Sequence, residues 1–254
     1  MDTMSPITKS LSRKVPEITA IFWVTKLLTT AMGEATSDFL TNTISPYAAV
    51  ALGFVVFVIA LVIQFRAKRY IPWVYWLAVA MVAVFGTMAA DVLHKQFGVP
   101  YVASTIFFAA CLAAVFAIWQ KVERSLSIHT ITNTRREVFY WLTVMATFAL
   151  GTAAGDWTAN SLGIGYLSSG ILFAVLMLIP IFCRRFKVSE VFTFWFAYVI
   201  TRPLGASFAD WFGKPIPSGR GLGDGTVSMI LTILIVACVA YMSFDRHERR
   251  MERR

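Results

Sequence analysis

Long apolar stretches separated by short polar or basic breaks run the length of the chain, at about residues 17–40, 45–65, 71–93, 101–120, 136–158, 165–183, 188–212 and 225–244. A helix of roughly 20 residues crosses the ~30 Å hydrocarbon layer of a bilayer. The pattern therefore predicts an all-α membrane bundle of eight transmembrane helices. The first stretch follows Lys9, Arg13 and Lys14, as a signal peptide would, but it contains Lys26, Glu34 and Asp38 and lacks a small-residue cleavage site. We read it as a retained helix.

The odd-numbered stretches share a motif. The spacing Trp-x9-Gly-x4-Asp occurs four times, as Trp23/Gly33/Asp38, Trp76/Gly86/Asp91, Trp141/Gly151/Asp156 and Trp195/Gly205/Asp210. Internal repetition of this kind marks a fold built from one duplicated unit. The units are 17–66, 71–120, 136–185 and 188–244, with a linker at 121–135 and a basic tail at 245–254. Tyr47, Tyr101 and Tyr166 open the even helix in three units, and the fourth has a longer Gly- and Pro-rich loop with Asp224 near that place. Each unit crosses twice, so all four share one orientation, as parallel repeats about an axis near the membrane normal. The long linker suggests a two-plus-two grouping. This architecture resembles a bacterial integral membrane protein family defined by a tandem two-helix repeat of unknown function. The resemblance covers residues 17 to about 244; it implies fold and membrane location and brings no site residues with it.

Composition agrees: 57% of the residues are apolar and 15% charged, against about 25% charged in soluble domains. The net charge of +9 could indicate nucleic acid, but its distribution indicates topology instead. Eighteen Lys and Arg residues lie before the first helix, in alternate connections and in the tail, against only Lys95, Lys214 and Arg220 on the other side. That bias places both termini in the cytoplasm of a cell with a bacterial-type inner membrane. The basic groups form no recognition module, which excludes a nucleic-acid partner. Cys111, Cys183 and Cys238 show no pairing or metal-ligand spacing.

The chemistry lies in the odd helices. Fifteen residues separate each Trp from its Asp, ~22 Å of helix, so four carboxylates share one depth towards the outer end. Positions four residues earlier lie on the same helix face; they are Glu34, Thr87, Thr152 and Ala206, and one further step gives Thr30, Ala83, Phe148 and Arg202. Charged groups in a bilayer cost at least ~2.5–3.5 kcal/mol and normally face a bundle interior. Asp38, Asp91, Asp156, Asp210, Glu34, Thr87 and Thr152 are thus candidate ion-binding residues. Lys26 and Arg202 are expected to neutralise carboxylates of neighbouring units. An alternative has each Asp merely ending its helix at the outer interface. The four glycines read as packing residues, the tryptophans as interface or core residues, and His94 as exposed to solvent.

Oxygen donors without His or Cys suit a proton or a hard divalent cation such as manganese or magnesium, although the sequence does not choose the metal. The reading is a cation transporter, partnered by the lipid bilayer and open to homo-oligomer formation, with no cofactor. A non-transporting scaffold or sensor is the alternative. An enzyme ranks third, because nucleophile and metal motifs such as GxSxG and HExxH are missing.

Overall fold

The computed structural model describes residues 14–251; the side chains of Arg184 and of residues 246–251 are not described. Lys9, Arg13, Arg253 and Arg254, counted above towards the charge bias, lie outside the described residues. All regular structure among those described is helical. The helices are α1 (Ala20–Thr43), α2 (Pro46–Arg66), α3 (Pro72–Asp91), α4 (Tyr101–Glu123), α5 (Thr134–Asp156), α6, α7 (Glu190–Gly213) and α8 (Asp224–Met251). α6 is broken at Met177 into Gly165–Leu176 and Leu178–Arg185. Pro180 explains the break, since its ring clashes with the carbonyl four residues back, that of Leu176.

Local chemistry sets the boundaries. Thr19 and Asn133 cap α1 and α5 by accepting from the Phe22 and Arg136 amides, and Pro46 and Pro72 sit in the first turns of α2 and α3, where a missing amide proton costs nothing. α3 and α5 run past their signature Asp into a π-helical turn, Val92–Gln96 and Trp157–Ser161. α8 extends to Met251, beyond the apolar stretch, because Arg, Glu and Met favour helix regardless of polarity.

The odd helices form an inner ring in repeat order, α1 beside α3, α3 beside α5, α5 beside α7, and α7 back against α1. Each even helix packs chiefly on the odd helix of the next repeat: α2 on α3, α4 on α5, α6 on α7 and α8 on α1. The four signature glycines close this ring. A Cβ at Gly33 would lie 2.8 Å from the Ala83 carbonyl carbon, one at Gly86 2.9 Å from Phe148 Cβ, one at Gly151 3.0 Å from Pro203 Cδ, and one at Gly205 3.0 Å from the Ala31 amide nitrogen. Each glycine thus admits the next helix at the same level, as small residues do between membrane helices.

The outer helices present apolar side chains outward, among them Leu52, Phe54, Ile59, Ile106, Phe107, Ile171, Ile230 and Ile233. Between 11% and 22% of the apolar stretch is buried in α2, α4, α6 and α8, against 67% in α3 and 61% in α5. Among the described residues, six helices are long and apolar enough to cross a membrane. The other two are α1 and α7, the ones that carry Lys26, Glu34 and Asp38, and Arg202 and Asp210. An apolar exterior over a polar interior is the organisation of a multi-pass membrane protein.

At the end opposite the signature carboxylates, the core is aromatic. Trp76, Trp141 and Trp195 are buried there with Phe22, Tyr75, Tyr140 and Phe194, and the Tyr75 and Tyr140 hydroxyls bond each other. Leu126, Ile128 and Ile131 of the linker cover this end, and Trp195 Nε1 donates to the Leu126 carbonyl at 2.9 Å. Of the four signature tryptophans, Trp76, Trp141 and Trp195 are core residues and Trp23 is half-buried against them.

Candidate functional site

Steps of four residues along the inner helices generate stacked layers around the axis. At the level of Glu34, Thr87 and Thr152, all three side chains meet the guanidinium of Arg202, which comes from the layer below. Its Nη2 donates to Glu34 Oε2 at 2.8 Å, to Thr152 Oγ1 at 2.7 Å and to Thr87 Oγ1, and its Nη1 donates to the Thr30 carbonyl at 3.0 Å. Arg202 is 0% exposed and Glu34 3%. Room for the arginine stem comes from Gly151, where a Cβ would collide with Arg202 Cβ and Cγ. The expected neutralisation of a carboxylate by Arg202 across units is present, and all four repeats contribute to it.

One layer further out lie the signature aspartates. Carboxylate oxygens of Glu34, Asp38 and Asp210 lie within 4.8 Å of one another. Lys95 Nζ bridges Asp91 at 2.9 Å and Asp38 at 3.3 Å. Lys214 Nζ pairs with Asp38, lies 3.6 Å from Asp210 and 3.4 Å from Asp224. Burial alone would pull the Lys214 ammonium below the ordinary lysine value; the carboxylates of Asp38, Asp210 and Asp224 outweigh it and hold the group well above that value. Asp156 stands apart: it is half-buried, and its side chain accepts from Asn160 Nδ2 at 3.4 Å with no lysine on it.

Lys95, Lys214 and Asp224 lie outside the repeated motif yet join the carboxylates at the axis. The same four-residue step identifies both lysines. Four residues after Asp38, Asp91, Asp156 and Asp210 come Asn42, Lys95, Asn160 and Lys214, an alternation of amide and ammonium above the ring of carboxylates. Lys214 is held in place by its loop, which folds back on α7 through Gly221 N to Lys214 O at 2.9 Å and Arg220 N to Trp211 O at 2.7 Å.

Two expectations are corrected. Lys26 neutralises no carboxylate: its Nζ is buried without a hydrogen-bond partner, 4.0 Å from the Phe148 ring centroid and 4.1 Å from that of Tyr198. The reason is that its layer, twelve residues before each Asp, contains Val79, Val144 and Tyr198 and no acid. His94 is buried rather than solvent-exposed, because the π turn after Asp91 folds its ring back onto the start of α4. There Nδ1 contacts the Val99 carbonyl at 3.0 Å and Nε2 the Ser104 hydroxyl at 3.2 Å.

Chemically, the outer half of the axis is a nest of six carboxyl groups, Glu34, Asp38, Asp91 and Asp210 buried and Asp156 and Asp224 half-buried, with three cations, Arg202 buried, Lys214 half-buried and Lys95 exposed at the rim. Below it the axis holds Lys26 and then aromatic rings. A hard cation or a proton finds oxygen donors in the nest, and Glu34, Asp38 and Asp210 are close enough to share one ion.

Among known proteins, no curated sequence and no solved structure matches the chain. The model of a family described as a repeat of unknown function, DUF347, matches four times in tandem, at residues 21–70, 74–125, 139–186 and 193–248. Those matches cover nearly the whole chain and coincide with the four units that build the ring, so the protein belongs to the DUF347 repeat family.

Proposed function

We propose that this protein is a bacterial inner-membrane transporter of a small cation, a proton or a hard divalent ion such as manganese or magnesium. In this reading all eight helices cross the bilayer, with both termini cytoplasmic, and the cation is held by Asp38, Asp91, Asp156, Asp210 and Glu34, with Thr87 and Thr152 lining the site. The observation that carries the reading is the convergence of Glu34, Asp38 and Asp210 at the axis. Groups that merely ended helices at the outer interface would have no reason to meet there.

A carrier fits better than an open pore. Arg202 and Lys26 occupy successive layers of the axis, and fixed positive charge repels a passing cation. Movement therefore requires the ring to rearrange, with units 1 and 2 rocking against units 3 and 4 across the long connection between α4 and α5. The ion pairs of Lys95, Lys214 and Arg202 favour a second reading, a non-transporting scaffold or sensor held together by its buried charges.

Purified protein in liposomes loaded with a cation-sensitive dye separates the two. Divalent ions and pH gradients are to drive flux in the wild type, and Asp156→Asn is to abolish it, because Asp156 is the signature carboxylate with no lysine on it. Silence of the wild type under every gradient would discard transport in favour of the scaffold.

A further inference from the structure

Among the described residues, Lys26 has no counter-charge. It is 1% exposed, its ammonium meets only the ring faces of Phe148 and Tyr198, and no acceptor lies within hydrogen-bond distance. Ring faces attract a cation, but they accept no proton. The elements packed around it bring few ionisable groups. α7 brings Arg202 and Tyr198, α3 brings Tyr75, α5 brings Tyr140, α8 has Cys238 as its one titratable residue in this stretch, and α2 has none between residues 48 and 63. No carboxyl group is among them.

The nearest charge is of the same sign. The Arg202 guanidinium carbon is 5.1 Å from the centroid of the Phe148 ring that Lys26 also faces, so both cations lie against one ring. At present Glu34 offsets Arg202 through the 2.8 Å pair. Anything that takes Glu34 away leaves two positive charges against the same ring in a buried interior, where little solvent screens them. The stronger acid of the two is the lysine ammonium, because a guanidinium keeps its proton in proteins.

We propose that Lys26 is the proton-exchanging group of the bundle, releasing one proton as a cation engages Glu34 and draws that carboxylate from Arg202. The step is balanced: an N–H bond of the Lys26 ammonium breaks, the electron pair stays on Nζ as a neutral amine, and the proton passes to solvent water that the rearranged ring admits to the axis. Departure of the cation returns Glu34 to Arg202, and Lys26 is protonated again. Cation and proton then occupy the axis alternately, which makes the transporter an antiporter. This rests on the cation reading above and adds to it the identity of the coupling group.

Proton release can be measured directly on the full chain in detergent. Manganese(II), and separately magnesium(II), is titrated into weakly buffered protein containing a pH-indicator dye, with binding followed by calorimetry in the same samples. The wild type is expected to release about one proton for each cation bound at neutral pH. Lys26→Met and Lys26→Gln are expected to bind the cation and release none. Wild-type binding without proton release, or equal release from both variants, overturns the inference and leaves the cation reading standing. Loss of binding in folded variants also overturns it, since Lys26 would then belong to the binding site. Failure of the wild type to bind either cation removes the cation reading itself.

Discussion

Arg202→Met tests the central ion pair of the bundle. The side chains of Arg202 and Glu34 are 0% and 4% exposed, so no solvent screening reduces the effect. The substitution strands the Glu34 carboxylate, whose remaining donor is the Thr87 hydroxyl at 3.5 Å and whose neighbours include the carboxylates of Asp38 and Asp210. Removing one partner of a buried pair costs about 3–5 kcal/mol. Replacing both partners by apolar residues of similar size leaves nothing stranded and is expected to lie within about 1 kcal/mol of wild type, or above it. The double-mutant cycle of Arg202→Met and Glu34→Leu should therefore return a coupling energy of at least about 3 kcal/mol, at or beyond the upper end for residues in contact. Unfolding in mixed micelles, followed by tryptophan fluorescence, provides the four midpoints. Additive effects, or an Arg202→Met variant within about 1 kcal/mol of wild type, would show that the pair does not hold the inner ring together.

The glycine contacts predict opposite outcomes at two neighbouring kinds of site. Gly33→Ala places a methyl 2.8 Å from backbone that cannot yield and should cost about 1–3 kcal/mol by overpacking. At Gly155 the nearest atoms lie 3.8 Å away, so Gly155→Ala should stabilise by about 0.5–1 kcal/mol through helix propensity; the same unfolding titration checks both, and equal signs would refute the packing assignment. Lys214 predicts an alkaline transition. Its folded-state value is raised above the ordinary 10.5, so its contribution is complete below that value and is lost as pH climbs through the folded one. Midpoints of the wild type should fall as pH is raised beyond 10.5, and Lys214→Met, less stable at neutral pH, should show a shallower fall. An unchanged slope would mean that the ammonium is not held by its three carboxylates.

Much of this was legible because the four repeats keep one spacing. Counting back four and eight residues from each Asp placed Glu34, Thr87, Thr152 and Arg202 on facing surfaces, and the fold brings these residues together. The same count taken one step outward reaches Lys95 and Lys214, and one step further inward shows a layer of Lys26, Val79, Val144 and Tyr198 with no acid in it. Both were available in the sequence. Other features were not. The packing of each even helix on the following repeat depends on contacts between distant segments, and the even helices are too uniformly apolar to betray a preferred face. The inward turn of His94 depends on a π turn that no residue pattern announced. The loop that returns Lys214 to the axis is fixed by its own backbone hydrogen bonds.

A ring of four identical carboxylates would repel itself, and the chain avoids this by varying its units on a constant backbone. The glycine of each unit faces the residue eight before the Asp of the next, and that partner is Ala83, Phe148, Arg202 or Thr30. Side chains from a methyl to a guanidinium stem are thus accommodated at equivalent places without disturbing the ring. The cations are not spread evenly. Arg202 reaches Glu34, and Lys95 and Lys214 both reach Asp38, so all three converge on unit 1. Unit 3 supplies Asp156 and Thr152 and no cation. Attraction for an incoming positive ion is consequently least offset where Asp156 meets Asn160, because that carboxylate is paired with no lysine among the described residues. That asymmetry, more than the number of acids, is the reason Asp156→Asn should be the most damaging of the four aspartate substitutions in the liposome assay. Asp38→Asn, which releases two lysines as it removes one carboxylate, should instead disturb stability first.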